Sequence, residues 1–236
     1  MNLRRASPRS LCVAAGPLWL LWLLWLLWLL ASTAGAQATG SRAKDTTTTR
    51  TDSSKRASRS GLIPSGYGTL RQDDIAVQVQ TLGLLVKVMP LEESVIRTLS
   101  PDSYRSLNGI RESKAKQLDS VSTRTGLPPV QPWLVTFFNA EVGEARFDAA
   151  DVLIRSGGRD FRPLRILPLK VGFGDGRLAQ HSQQGAVYAF DPAIDLTQPI
   201  TITAGTQTSS IWADIVQRIE VERSLIWSRA GAAKPH

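Results

Sequence analysis

Cysteine and histidine are nearly missing from this 236-residue chain, which holds one Cys and two His. The cysteine is Cys12, close to the amino terminus, and His236 is the last residue. A domain without cysteine has no disulfide, no thiol nucleophile and no thiolate ligand for a structural zinc ion. The one internal histidine, His181, lies in a polar stretch that is typical of a solvated loop. We therefore expect neither a metal site nor a cofactor.

The positive charge of the chain is unevenly distributed. The formal net charge is +8 and the pI is about 10.1, values that are often found in nucleic-acid-binding proteins. Residues 67–236, however, contain 19 basic and 18 acidic side chains, so the excess lies in the first 66 residues. This placement predicts a domain that does not bind nucleic acid.

The first 36 residues have the three parts of a secretory signal peptide. Three arginines stand before residue 10, residues 18–30 are an unbroken run of Leu and Trp, and residues 31–36 are small. The sequence predicts cleavage between Ala36 and Gln37, followed by release into the periplasm or the extracellular space.

An uncleaved anchor is the alternative for the same segment. Counted from residue 11 to residue 30, the apolar stretch has 20 residues, which is long enough to span a bilayer. The pair Gly16-Pro17 interrupts it, and this favours cleavage. We expect membrane attachment only if the leader is retained, and the oligomeric state stays open.

Residues 37–66 predict a disordered tether, because they are rich in Ser, Thr and Arg and nearly lack large apolar side chains. From residue 67 onward, apolar residues recur with regular periods to the end of the chain. The sequence therefore predicts one folded domain over residues 67–236, stabilised by its apolar core alone.

The domain is predicted to be mainly β. Short apolar or alternating runs, separated by Gly and Pro, predict strands at 75–79, 84–88, 133–138, 152–154, 161–167, 186–190 and 200–203. Gly157-Gly158 predicts a hairpin between two of them. Seven such strands favour an antiparallel β-sandwich of the immunoglobulin-like type.

Two helical regions are predicted beside the strands. A helical insert covers about 92–125, where Ser100-Pro101 is a favourable helix start. A C-terminal amphipathic helix covers about 210–229 and is expected to cap the sandwich. Its predicted apolar arc contains Ile211, Trp212, Ile215, Val216, Ile219, Ile226 and Trp227.

Catalytic and ligand-binding motifs are scarce. Residues 172–176 carry three glycines, but no helix pattern follows them to hold a phosphate group. The scattered aspartates lack the dense spacing of a calcium loop. Because a glycoside hydrolase needs only two carboxylates, a carboxylate-dependent hydrolase stays open as an alternative.

One cluster of basic residues is a candidate binding surface. A hairpin that carries it could contact an anionic envelope surface or an envelope protein. The alternative is a solvated strand edge that discourages aggregation. The cluster consists of Arg155, Arg159, Arg162, Arg165, Lys170 and Arg177.

The stretch 133–139, together with 146–148, Gly157-Gly158 and 161–163, resembles uncharacterised bacterial secreted proteins with immunoglobulin-like folds. In those proteins, a core strand that ends in Asn precedes a hairpin of this kind. The resemblance covers about 30 residues. It implies secretion and a sandwich fold, and it supplies no catalytic residue.

These observations predict an exported, non-catalytic envelope protein that acts as an interaction or structural accessory module, for example as a subunit docked on a membrane complex. The alternative is a secreted hydrolase on a sandwich scaffold. A hydrolase requires a pocket with two facing acids, whereas a docking module exposes an apolar or charged patch.

Overall fold

A computed structural model of the chain describes residues 62–81, 83–126 and 128–232. The predicted leader, its cleavage site and residues 37–61 of the predicted tether lie outside these ranges. No helix of the described ranges is both long and apolar enough to cross a membrane.

The described chain contains four α-helices and eleven β-strands. The helices are α1 (Gln72–Ile75), α2 (Glu93–Ile96), α3 (Pro101–Thr125) and α4 (Trp212–Ala232). The strands are β1 (Val77–Thr81), β2 (Leu84–Pro90), β3 (Gln131–Asn139), β4 (Ala145–Arg146), β5 (Val152–Ser156), β6 (Arg159–Phe161), β7 (Arg165–Pro168), β8 (Arg177–Leu178), β9 (Gln183–Phe190), β10 (Ile200–Ala204) and β11 (Gln207–Ser209).

All strand pairs are antiparallel and form three sheets. The five-stranded sheet has the order β1-β2-β3-β9-β7, and the four-stranded sheet has the order β11-β10-β5-β6. The pair β4-β8 forms a small ribbon. The predicted mainly β, antiparallel character is confirmed, and the arrangement is consistent with a sandwich.

The β1–β2 hairpin explains why the apolar parity changes near residue 82. Thr81 pairs with Leu84, and Gly83 in the connection has a φ of +78°. That conformation is accessible to glycine at little cost. The turn puts Val79 opposite Val86, so the apolar side chains of both strands lie on one face.

Strand β3 is the centre of the larger sheet and is buried on both faces, as its continuous apolar sequence predicts. Trp133 lies opposite Tyr188 of β9, and both side chains are fully buried. Leu134, on the other face, is buried as well. Helix α3 contacts β7 and β9, and its Lys114 Nζ donates a hydrogen bond to the carbonyl of Pro168.

The smaller sheet contributes the second apolar layer. Ile154 of β5 lies opposite Ile202 of β10, and both are fully buried. The predicted hairpin between β5 and β6 is present, with positive φ at Gly157 and Gly158. Two consecutive glycines permit the tight turn because both central residues require φ above zero.

Helix α4 packs through a narrow stripe, which includes the buried residues Ile215, Ile219 and Ile226. The predicted apolar arc was too wide, because Ile211 is 44% exposed and Trp227 is 55% exposed. Only one line of side chains on a straight helix reaches the sheets, so residues at the borders of the arc lie on the rim.

An aromatic cluster joins α4 to the larger sheet. The indole of Trp212 lies 6.0 Å from that of Trp133, and Phe190 lies 6.2 Å from Trp133 on the other side. All three rings are fully buried. The C-terminal helix is therefore part of the core, since its first residue is enclosed by aromatic side chains of the sheet.

Candidate functional site: a groove beside helix α4

The six residues of the predicted basic cluster are all exposed, but they lie on different parts of the fold. Arg155 and Arg159 lie in the four-stranded sheet and Arg165 in the five-stranded sheet. Arg177 lies in the small ribbon, whereas Arg162 and Lys170 lie outside the strands. The hairpin formed by β5 and β6 therefore carries only Arg155 and Arg159 of the six residues.

Both hairpin arginines have partners on their own sheet. The Arg155 guanidinium donates to both oxygens of Asp160, at 2.6 and 2.9 Å. These bonds lower the pKa of Asp160, and they raise that of Arg155. The guanidinium of Arg159 lies 5.3 Å from the centre of the Phe161 ring. Such local pairing is compatible with the alternative of a solvated, charged edge.

A larger concave surface lies where α4 meets the loop before β10. A cavity of about 370 Å³ opens between the helix, the loop and the start of β3. Its volume is within the range of small-ligand and peptide sites. Six apolar side chains, which we call the floor of the cavity, line it together with polar and charged ones: Val95, Ile194, Leu196, Trp212, Val216 and Ile219.

A second cavity, of about 440 Å³, continues along the same side of α4. It shares Ser94, Glu220 and Arg223 with the first cavity. Its apolar wall contains Leu62 and the exposed Trp227. We call the two cavities together the α4 groove.

The loop that forms one wall of the α4 groove is held by local hydrogen bonds. Trp212 Nε1 donates to the carbonyl of Leu196 at 3.0 Å, which fixes the loop against the helix. The Asp195 carboxylate accepts hydrogen bonds from both the hydroxyl and the backbone N–H of Thr197, at 2.7 and 2.9 Å. These two bonds lower the pKa of Asp195, so its negative charge persists to lower pH.

The Glu92 carboxylate lines the same cavity. It accepts one hydrogen bond from Gln131 Nε2 at 3.0 Å and another from the hydroxyl of Ser94 at 2.9 Å. Gln131 is in turn fixed by the indole N–H of Trp133, at 3.2 Å. Among the described residues, no Lys or Arg forms a salt bridge with Glu92, so its negative charge has no cationic partner there.

Arg223 is the only basic residue on the described walls of the α4 groove, and its charge is already paired. Its guanidinium contacts the Glu220 carboxylate and donates to the carbonyl of Ser94 at 2.9 Å. The described walls therefore hold three carboxylates, those of Glu92, Asp195 and Glu220, and one guanidinium.

Residues 62–66, which the sequence assigned to the tether, contact the domain beside the α4 groove. Ile63 is buried, and its carbonyl accepts a hydrogen bond from Arg97 at 2.9 Å. The groove wall at this end is thus part of the folded domain.

A third cavity, of about 240 Å³, lies at one end of the sheets. Phe137 and Phe147 are stacked beside it, with ring centres 4.3 Å apart. Asp148 and Asp151 both line this cavity. Asp148 caps the short turn at residues 149–151, because its carboxylate accepts the N–H of Ala150 at 2.8 Å.

The remaining sequence motifs have structural surroundings. Gly172 and Gly176 flank a single 3₁₀ turn that buries Phe173, and no α-helix follows to hold an anion. His181 is exposed. Within the described ranges, no group of three or more His, Cys, Asp or Glu is placed to hold a metal ion.

No family model, no curated protein and no solved structure matches the chain. The resemblance to secreted immunoglobulin-like proteins therefore stays a prediction.

Sequence reasoning did not find the α4 groove. The helical periodicity predicts Trp227 in the buried arc, because its helical position is only 20° from that of Val216 when 100° is taken per residue. The residues around Ile194 follow the predicted strand at 186–190, and no sequence signal places them beside α4. The run of acidic and apolar residues at 191–197 was the one available hint.

Proposed function

We propose that this protein is an exported, non-catalytic envelope protein that serves as an interaction or structural accessory module, and that it docks its partner in the α4 groove. The observation that carries the proposal is the position of Trp227. Its side chain is 55% exposed at the rim of an apolar-floored groove. Partly exposed tryptophans beside apolar pockets are common anchors of protein interfaces.

A binding role accounts for the carboxylates better than the alternative of a hydrolase. A general acid requires a carboxyl group whose pKa is raised towards neutrality. The carboxylates of Glu93, Asp160 and Asp195 instead have lowered pKa values. The two aspartates at the sheet-end cavity are exposed, and Asp148 serves as a turn cap.

The proposal includes export by the N-terminal leader and an immunoglobulin-like relationship between the two larger sheets. Both rest on sequence arguments, namely the leader composition and the resemblance of 133–163 to secreted proteins. They fit a sequence that has no cysteine after Cys12, so that the domain can fold in an oxidising compartment without any redox step.

Site-specific photo-crosslinking tests the proposed function. A photoreactive phenylalanine analogue replaces Trp227 in cells that express the full chain. The matched control places the same analogue at Val221, which is 60% exposed on the opposite side of α4. We expect a discrete envelope product from position 227 and none from position 221.

The result that would overturn the proposed function is an equal set of products from both positions, or none from either. Replacement of Ser224 by Arg provides a second reading, because Ser224 lines the groove without being buried. A bulky side chain there should remove the product from position 227 while the domain stays folded.

A further inference from the structure

The charge of the α4 groove indicates the chemistry of its occupant. We propose that the groove binds a cationic, apolar peptide segment of a partner protein, in which large apolar side chains alternate with Lys or Arg. This inference rests on the proposed function and specifies the partner.

The apolar side chains of the groove would bind the large apolar side chains of the partner segment. Leu196 and Val216 in the floor and Leu62 in the outer wall are half-buried, and Trp227 is 55% exposed, so these apolar side chains keep surface for a ligand to cover. Side chains of Leu or Phe size that enter this space would be removed from water, which is the main source of affinity for such grooves.

The carboxylates in the walls of the groove would bind the Lys or Arg side chains of the partner segment. Glu92 and Asp195 form no salt bridge with any Lys or Arg of the described residues, whereas Glu220 pairs with Arg223. The fixed hydrogen bonds from Thr197 and Gln131 aim these carboxylates before any ligand arrives. Lys or Arg side chains on the partner would form one charge pair with Asp195 and one with Glu92, and an acidic partner would be repelled.

Two other occupants fit less well. Residues 37–61 of this chain are basic, with Lys55, Arg56 and Arg59 close to the groove in sequence, but they lack large apolar side chains to fill the floor. A second copy of the domain, related by a two-fold axis, would bring the same acidic walls face to face. Both remain outcomes that the experiment can detect.

The experiment measures binding of labelled synthetic peptides of about ten residues to the intact chain by fluorescence anisotropy. The probe carries alternating leucine and lysine among serines, and two matched peptides replace lysine by glutamate or leucine by serine. We expect only the leucine–lysine peptide to bind, with an affinity that falls as salt concentration rises.

Variants of the chain locate the binding site. Asp195→Asn should weaken binding of the leucine–lysine peptide by about threefold, as for an exposed charge pair. Trp227→Ala should weaken it by about thirtyfold, as for an interface anchor. The controls Asp214→Asn and Val221→Ala, both exposed away from the groove, should leave the affinity unchanged.

The outcomes separate this inference from the proposed function. Equal binding of the lysine and glutamate peptides, still lost in Trp227→Ala, would overturn the cationic partner and leave docking in the groove intact. Failure of all peptides together with the absence of a crosslink at position 227 would overturn both. Self-association that Trp227→Ala abolishes, or a tenfold gain in affinity after deletion of residues 37–61, would identify the second copy or the tether as occupant and overturn this inference.

Discussion

Glu222 and Thr69 are 153 positions apart in the sequence, yet one carboxylate oxygen of Glu222 accepts both the backbone N–H and the hydroxyl of Thr69, at 2.8 and 3.0 Å. The same oxygen accepts a hydrogen bond from Arg229 at 2.6 Å. Arg229 also donates to the carbonyl of Tyr67. The buried side chain of Glu222 thus links Thr69 to helix α4.

Replacement of Glu222 by Ala should therefore destabilise the domain. The substitution leaves the N–H of Thr69 and the Arg229 guanidinium without their shared acceptor, which costs about 1–3 kcal/mol. Urea denaturation of the two proteins measures the difference. Glu112→Ala is the control, because Glu112 is exposed on α3 and should change the free energy of unfolding by less than about 0.5 kcal/mol.

The C-terminal helix offers a matched pair of substitutions. Ile219 is 3% exposed, so Ile219→Asp buries an unpaired charge and should lower the free energy of unfolding by at least about 4 kcal/mol. Val221→Asp places the same charge on the solvent face of α4 and should be nearly neutral. Similar melting temperatures for the two variants would show that α4 does not belong to the core.

The boundary between tether and domain can be tested by two deletions. Removal of residues 37–61 should change the melting temperature by no more than a degree or two, because the sequence predicts a tether there and such segments contribute little to stability. Removal of residues 37–66 also removes Ile63, which is 5% exposed, and should cost about 1.5–3 kcal/mol. Equal stability of both deletion variants would contradict a domain that begins near residue 62.

The buried phenol of Tyr188 predicts a loss of stability in alkali. Burial, and then the nearby Asp148 carboxylate, raise the pKa of this side chain above its value in the unfolded chain, which is about 10. Stability from the neutral phenol is therefore complete below about pH 10 and declines as pH rises further.

The variant Tyr188→Phe removes both the titrating hydroxyl and the hydrogen bond that it donates to the carbonyl of Ala149. The two effects differ in their dependence on pH. The variant should lose about 0.5–1.5 kcal/mol at neutral pH. Between about pH 9 and pH 11 it should lose less stability than the unchanged protein. Parallel pH profiles for the two proteins would refute the assignment.

The leader makes a separate prediction. Because small residues follow the apolar run, cleavage after Ala36 should leave a chain that begins at Gln37 and is released from the membrane. Amino-terminal sequencing of the exported protein measures this directly. Recovery of Met1 in the membrane fraction would establish the anchor instead.

The sequence was informative where periodicity alone fixes structure. The apolar run at 133–138 and the glycine pair after Ser156 correctly predicted a strand and a hairpin, since each depends on neighbouring residues. The alternation at 75–79 predicted β1 with its start two residues too early, because Ile75 ends α1 and the strand begins at Val77. The pairing of β3 with β9, between which five other strands lie in the chain, could not be predicted from neighbouring residues. Long-range pairing depends on how distant segments complement each other.

The site was less predictable than the fold for the same reason. The walls of the α4 groove come from Glu92, the segment around Asp195 and the middle of α4, which are far apart in the sequence. Each is unremarkable by itself. The basic cluster, in contrast, is dense in the sequence but distributed over three sheets in space.

The side chain of Trp212 contributes both to the core and to the α4 groove. Its ring packs against Trp133 in the core, and the same ring forms part of the floor of the α4 groove and holds Leu196 through its indole N–H. Occupancy of the groove is therefore thermodynamically linked to unfolding, because the surface that a partner contacts exists only while this ring is in place. A saturating partner should thus act as a folding ligand and raise the melting temperature in proportion to the logarithm of its concentration.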